Sequence, residues 1–261
     1  MAATKVYGCF VLLSLLMIIC SADNTNRYPF ADPIGSYCYK NPKCNTTIDY
    51  TDNVNKAMSD LVKVMRYSSY GNVTEGEDTD YTIYGLAQCR RDCSPNECNQ
   101  CIKMAAKAIK KSCPNSPDAR VWYDRCFMRY DTENFVQQMD VGIYVHHQTP
   151  QLIPSTVTNF SDARYNVFME ELFPSLMKPE NRGFATASRQ IDNTNTIYAL
   201  CQCTQDIDPD ECCLCMNAAL ESFPQYCGEH HGCVIASSSC YAKYDLFPFF
   251  TNTRDKVAIR N

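Results

Sequence analysis

The sulfur chemistry of this chain is written twice. Cys89, Cys98 and Cys101 follow a Cys-x8-Cys-x2-Cys spacing, and Cys203, Cys212 and Cys215 repeat it. Two further cysteines recur after each run, Cys113 and Cys126 in one case and Cys227 and Cys240 at the matching positions in the other. Three chemistries use such a pattern. A Cys-x2-Cys pair can ligate zinc, but structural zinc sites usually join two such knuckles, and each run here has one. The same pair in the first turn of a helix can be redox-active, because a helix start favours the thiolate. Structural disulfides are the third and favoured reading, since the other cysteines are numerous enough to pair every thiol. The four histidines form two adjacent pairs, His146-His147 and His230-His231, both in predicted loops. A thiol protease needs a free cysteine matched to a histidine, and the even cysteine count leaves no obvious spare. The expectation is a protein that is not an enzyme and that uses no metal and no cofactor.

The elements that must hold these cysteines are themselves duplicated. Residues 82–131 recur at 196–245 with a constant offset of 114 and no gap, and sixteen of the fifty positions are identical. A repeat of this length means one cysteine-pinned module made twice. In the first copy Val54, Met58, Leu61, Val62 and Met65 recur at helical spacing and predict an amphipathic helix over about 53–67. Gly71 and an acidic turn, Glu75-Gly76-Glu77-Asp78, come next, and Tyr81-Thr82-Ile83-Tyr84 begins a strand. Ser94 as N-cap, Pro95 at the first helical position and Glu97 three after the cap predict a second helix, running to about Lys111. Asp208-Pro209-Asp210-Glu211 repeats that signal. Arg120 to Tyr130 reads as a strand, followed by another over Val141 to Val145. The second copy offers a helix near 163–177, a strand through Ile197 to Cys203, a helix from Pro209 and strands from Val234. Each module is therefore expected to be α+β, with two helices packed on an antiparallel sheet. A strand, a tight turn and a helix would bring Cys89 beside Cys98, and the helix face would turn Cys101 toward the strand carrying Cys126. Sequence alone leaves the connectivity open.

Met1 to Ala22 reads as a secretory signal, with Lys5 as its basic start, the apolar run Val6 to Ile19, and small residues at Cys20-Ser21-Ala22. The run falls short of the roughly 20 residues that span a bilayer. Its removal leaves sixteen of the 18 cysteines, eight in each half, and an even count in an exported chain argues for disulfides. Asn45, Asn72 and Asn159 each head an Asn-x-Ser/Thr glycosylation triplet. The net charge of −5 argues against nucleic acid or an anionic membrane held by bulk charge. The last residues are polar, and no membrane span is expected after signal cleavage. The expected division is a signal peptide over 1–22, module 1 over 31–136, module 2 over 140–249 and a polar tail over 250–261.

The doubled Cys-x8-Cys-x2-Cys pattern, the Tyr-x-Leu-x-Gln-Cys lead-in and the Cys-Phe-x-Arg-Tyr-Asp exit at 126–131 resemble the ginkbilobin-homologous domain of land plants. Two copies behind a signal peptide, without a kinase or a membrane span, look like a plant cysteine-rich repeat secretory protein. The resemblance covers about 31–249. It implies a five-stranded antiparallel sheet carrying two helices in each module. It also implies the bridges Cys38–Cys113, Cys89–Cys98, Cys101–Cys126, Cys203–Cys212 and Cys215–Cys240. Cys44 and Cys93 are then left to pair with each other, while Cys201, Cys213, Cys227 and Cys233 admit three pairings. Cys201, Cys213 and Cys233 have no counterpart cysteine in the first copy, where Ala87, Asn99 and Ala119 stand.

The resemblance also implies a ligand site and a setting. Single-domain ginkbilobin is an antifungal lectin for mannose, and its sugar-holding positions fall on Tyr39, Arg120 and Asp131 here. The Arg is kept, the acid is one methylene shorter, and an Asn is replaced by Tyr39. In the second copy the corresponding positions are Val234 and Asp245, with no first cysteine visible. The alternative for Arg120 and Asp131 is a salt bridge at the strand ends. Two functions follow: an apoplastic defence protein binding cell-wall or fungal glycans through the first copy, or a non-enzymatic interaction module that binds receptor ectodomains or wall proteins in signalling.

Overall fold

The computed structural model describes residues 32–39, 49–114, 116–142 and 144–250. The expected signal segment, Cys44, Asn45 and nearly all of the polar tail lie outside these residues.

The helices form where their caps and apolar stripes require. The first helix, α1 (Thr51–Val64), buries Val54, Ala57, Met58 and Leu61, one stripe at the spacing that faces a core. In the second, α2 (Pro95–Ser112), the Ser94 hydroxyl accepts from the Glu97 N–H, and the Glu97 carboxylate accepts from the Ser94 N–H. That reciprocal box satisfies two donors the helix start leaves free. Asp208 and Glu211 repeat it at the start of the module 2 helix Pro209–Tyr226.

Module 1 is a five-stranded antiparallel sheet of β1 (Gly35–Cys38), β2 (Tyr70–Glu75), β3 (Ile83–Cys89), β4 (Asp118–Trp122) and β5 (Cys126–Asp131), in the order β1-β4-β5-β3-β2. Module 2 repeats the order as β6-β9-β10-β8-β7, with β6 (Val145–Gln148), β7 (Phe184–Gln190), β8 (Thr196–Cys203), β9 (Gly232–Ala236) and β10 (Cys240–Asp245). Its first helix is a composite: α3 (Phe160–Asn166), a π-helical turn over Val167–Leu172, and the short α4 (Phe173–Leu176). The helix Pro209–Tyr226 is α5. Inside the composite, the buried Arg164 lies about equally far from the rings of Phe160, Phe223 and Tyr244 and donates to the Gly228 carbonyl and the Tyr244 hydroxyl.

Several sequence expectations change. The run Arg120 to Tyr130 is two strands, because the chain reverses at Tyr123-Asp124-Arg125, where the Tyr123 N–H donates to the Cys126 carbonyl at 2.8 Å. No glycine or proline marks that turn. The strand expected over Val141–Val145 begins at Val145, runs to Gln148 and is the first edge of the second sheet, so His146 and His147 lie in a strand and not in a loop. The outer strands β1, β2 and β7 carried no periodic signal of their own.

The sulfur pairing is nearly, but not fully, symmetric. Cys89–Cys98 and Cys203–Cys212 join strand to helix, as do Cys101–Cys126 and Cys215–Cys240. In module 1, Cys113 just past α2 reaches Cys38 on edge strand β1, whose register partner is Ala119. In module 2 the equivalent Cys227 pairs instead with Cys233, and the register partner of Cys233 on edge strand β6 is Gln148. The third bridge has moved one strand inward, and its loop has shrunk from 75 residues to 6. Cys93, Cys201 and Cys213 carry no bridge among the described residues.

Candidate functional site

The residues singled out for ligand contact stand on the face of the module 1 sheet that points away from its helices. The orientation follows from the glycines of the opposite set: a side chain at Gly85 would meet Leu61, and one at Gly71 would meet Val64. The registers draw a straight row across the open face: Tyr37, Arg120, Arg129, Leu86 and Asn72. The next row places Asp118 opposite Asp131.

These registers decide the ion pairs. Arg120 faces Arg129, and its partner acid comes from its own strand, two residues away on the same face: Nε and Nη2 donate to Asp118 at 3.1 and 2.8 Å. Its Nη1 donates to Asp140 at 2.5 Å and to the Ser238 hydroxyl of module 2 at 2.6 Å. The salt bridge between Arg120 and Asp131 read from the sequence is therefore absent from this network. Asp131 pairs with Arg129 Nη2 at 3.3 Å, and Arg129 Nη1 also reaches Asp140 at 3.2 Å. Phe135 covers the Arg129 guanidinium at 3.6 Å from ring centroid to Cζ. Arg120 and Arg129 are both buried, whereas Tyr39 at the strand end is 43% exposed. Burial works against charge on Arg120, but Asp118 and Asp140 outweigh it and raise its pKa. For Arg129, burial and the neighbouring Arg120 prevail and lower it. Burial and the facing Asp118 raise Asp131, while Arg120 and Arg129 overcome burial to lower Asp140.

Phe135 and Asp140 belong to the segment between the modules, which passes back over the open face. It is fastened to module 2 on both sides: the Gln137 N–H donates to Asp206 at 3.0 Å, and the Asp140 N–H donates to the Ser239 hydroxyl at 2.8 Å. Sequence reading did not find these residues, because neither carries a periodic or motif signal.

Gln88 and Trp122 of the same face make module–module contacts, and the repeat makes the glutamine contact reciprocal. Gln88 donates to the Cys203 carbonyl at 2.8 Å and accepts from the Gln205 N–H at 2.9 Å. Gln202, its repeat equivalent, donates to the Cys89 carbonyl at 2.9 Å and accepts from the Arg91 N–H at 2.8 Å. The β4–β5 turn of module 1 offers Asp124 to Tyr241 and Lys243, and the β9–β10 turn of module 2 offers the Ser237 carbonyl to Trp122 Nε1. Burial would raise Asp124, but Lys243, Arg90 and the Tyr241 hydroxyl hold it down to about 2.

The three unbridged thiols among the described residues are poorly suited to chemistry. Burial pushes the Cys93 thiol up to about 11 and Cys201 well above its ordinary value, and burial with Asp210 raises Cys213. A raised pKa keeps a thiol protonated and weakly nucleophilic. Among the described residues no three His, Cys, Asp or Glu side chains are grouped to hold a metal. None of the described helices is long and apolar enough to cross a membrane.

Fold and site together define a tandem α+β repeat protein pinned by disulfides, in which two copies of one module are clasped together. The family described as salt stress response/antifungal matches residues 37–133 and 154–246, and this chain belongs to it. Among its relatives, cysteine-rich repeat secretory protein 55 of Arabidopsis thaliana is 30% identical over 248 residues, covering 95% of this chain and 91% of that one. The antimicrobial ginkbilobin-2-like protein of Castanea crenata is 26% identical over 243 residues, 92% of this chain and 97% of that one. The tandem DUF26 ectodomain of the Arabidopsis thaliana cysteine-rich receptor-like protein PDLP8 superposes with a TM-score of 0.69 over 83% of this chain and 98% of that one, at 22% identity, and shares the fold.

Proposed function

We propose that this chain is an exported, non-catalytic recognition protein of plant stress or defence responses. In this reading it acts in the apoplast and meets a receptor ectodomain or a wall protein through its tandem surface. The observation that carries the reading is the state of Arg120: Nε, Nη1 and Nη2 are all engaged by Asp118, Asp140 and Ser238. A sugar hydroxyl pair needs such a donor fork to be free, and here Asp140 engages one of its arms. The protonated thiols support the absence of catalysis. Export with N-glycosylation is supported by the exposed positions of Asn72, on edge strand β2, and Asn159, whose side chain makes no capping bond at the start of α3.

A second reading, glycan contact of the mannose type, keeps one observation in its favour: Tyr39 past the end of β1 is exposed, and Asp131 at the end of β5, two strands away, is part-open. Calorimetric titration of the full chain with mannose oligomers separates the two. The recognition reading expects no saturable heat from the wild type or from Arg120→Lys, which keeps the charge but loses the planar fork. Saturable binding by the wild type that Arg120→Lys removes would establish the lectin instead.

A further inference from the structure

The outer face of α2 carries a feature that neither the clasp nor the covered fork uses. Lys103, Lys107, Lys110 and Lys111 are all exposed, and at 100° per residue they fall within one sector about 100° wide. At 1.5 Å per residue they occupy about 12 Å of the helix axis. None of the four has an ion pair or hydrogen bond within the described residues. Lys110 and Lys111 lie in the last turn, where cations favour the helix dipole, but Lys103 and Lys107 do not. The pairs 103/107, 107/110 and 107/111 are like charges at neighbouring helical positions and cost helix stability. The repeat supplies a control, because α5 places Asn217, Glu221, Pro224 and Gln225 at the same four positions. The stripe is thus a property of module 1 and not of the fold.

The same face continues toward the helix start with two exposed amides, Gln100 and Asn96, giving a strip about 22 Å long. Amides pair with hydroxyls and ammonium groups pair with carboxylates, so a strip of both fits a polymer that carries both. A linear chain can follow one helix. The chain's net charge of −5 works against a broad anionic surface. The geometry points to an acidic polysaccharide, one bearing carboxylates along a hydroxylated backbone, bound along the outer face of α2. This site is separate from the Arg120 fork and does not depend on the state of that fork.

The test is binding of the full secreted chain to immobilised polygalacturonate at low and at physiological salt. The wild type is expected to bind more weakly as salt rises, because exposed charge pairs are screened. Lys103→Gln/Lys107→Gln is expected to weaken binding about ten-fold, on the order expected for two or more exposed ion pairs lost together. Lys103→Arg/Lys107→Arg should retain it, as should Glu221→Gln on α5. Full methyl esterification of the polymer should abolish binding. Three results would overturn the inference: no binding by the wild type, equal binding by the Gln variant, or binding to vesicles containing 30% phosphatidylserine with none to the polysaccharide.

Discussion

Arg120 and Asp124 show how far neighbours decide the behaviour of one side chain. Both are charged groups on the turn or strand that faces the other module, and both are held by several partners. Removing one member of a buried ionic network leaves the others uncompensated, so Arg120→Ala should cost about 3–5 kcal/mol in urea unfolding. Asp124 has the opposite titration behaviour from Asp131. Its folded value, about 2, lies below the ordinary 3.8, so its stabilising contribution is present above 3.8 and is lost as pH falls toward 2. Asp124→Asn should therefore lower stability at neutral pH by about 2 kcal/mol and flatten the loss on acidification between those values. Asp131 is raised; its contribution is present at low pH and is lost as pH rises through its folded value. Asp131→Asn should remove that decline. The ligand candidates Tyr39, Arg120 and Asp131 came from the family resemblance, which said nothing of their partners. Which acid meets which arginine depends on cross-strand register and on a linker residue, Asp140, that no local pattern marks.

At the scale of elements, the displaced third bridge is the main asymmetry between the modules. Cys38–Cys113 closes 75 residues and Cys227–Cys233 closes 6. The loop-entropy relation gives about 4.5 kcal/mol for the first and about 2 kcal/mol for the second. Replacing each pair by serines should reproduce that order in chemical denaturation. The same difference leaves β6 without a disulfide, while β1 is tied by Cys38–Cys113. Amide hydrogen exchange should accordingly be faster at Val145–Gln148 than at Gly35–Cys38. The helices were legible because caps and apolar stripes are local: Ser94 with Glu97, and Asp208 with Glu211. The edge strands β1, β2 and β7 were not, and β6 was expected a few residues early, because short strands borrow their conformation from the strand beside them. The pairing of Cys227 was left open for the same reason, since it depends on which strand lies beneath the end of α5.

For the molecule as a whole, the clasp converts a sequence repeat into one structural unit. Gln88 and Gln202 each satisfy a carbonyl and an N–H of the opposite module, so losing either amide strands two backbone groups. Each change to Ala should cost about 1–3 kcal/mol. The double variant should depart from the sum, because both side chains act on one contact. Edge strands also meet here: a side chain at Gly35 would lie 2.5 Å from Val145 Cγ1, so Gly35→Val should weaken the same contact. Duplication was evident from the sequence, but the clasp was not, since nothing in a repeat says which faces meet. The central claim is that the module 1 arginine fork is closed from within by Asp118, Asp140 and Phe135. Modification of the native chain with phenylglyoxal, read by peptide mass spectrometry, tests this directly. Arg120 and Arg129 should stay unmodified while the exposed Arg66 reacts, and Asp140→Ala, which removes the acid both guanidiniums share, should raise the rate at both. Modification of Arg120 in the wild type at the rate of Arg66 would contradict the account.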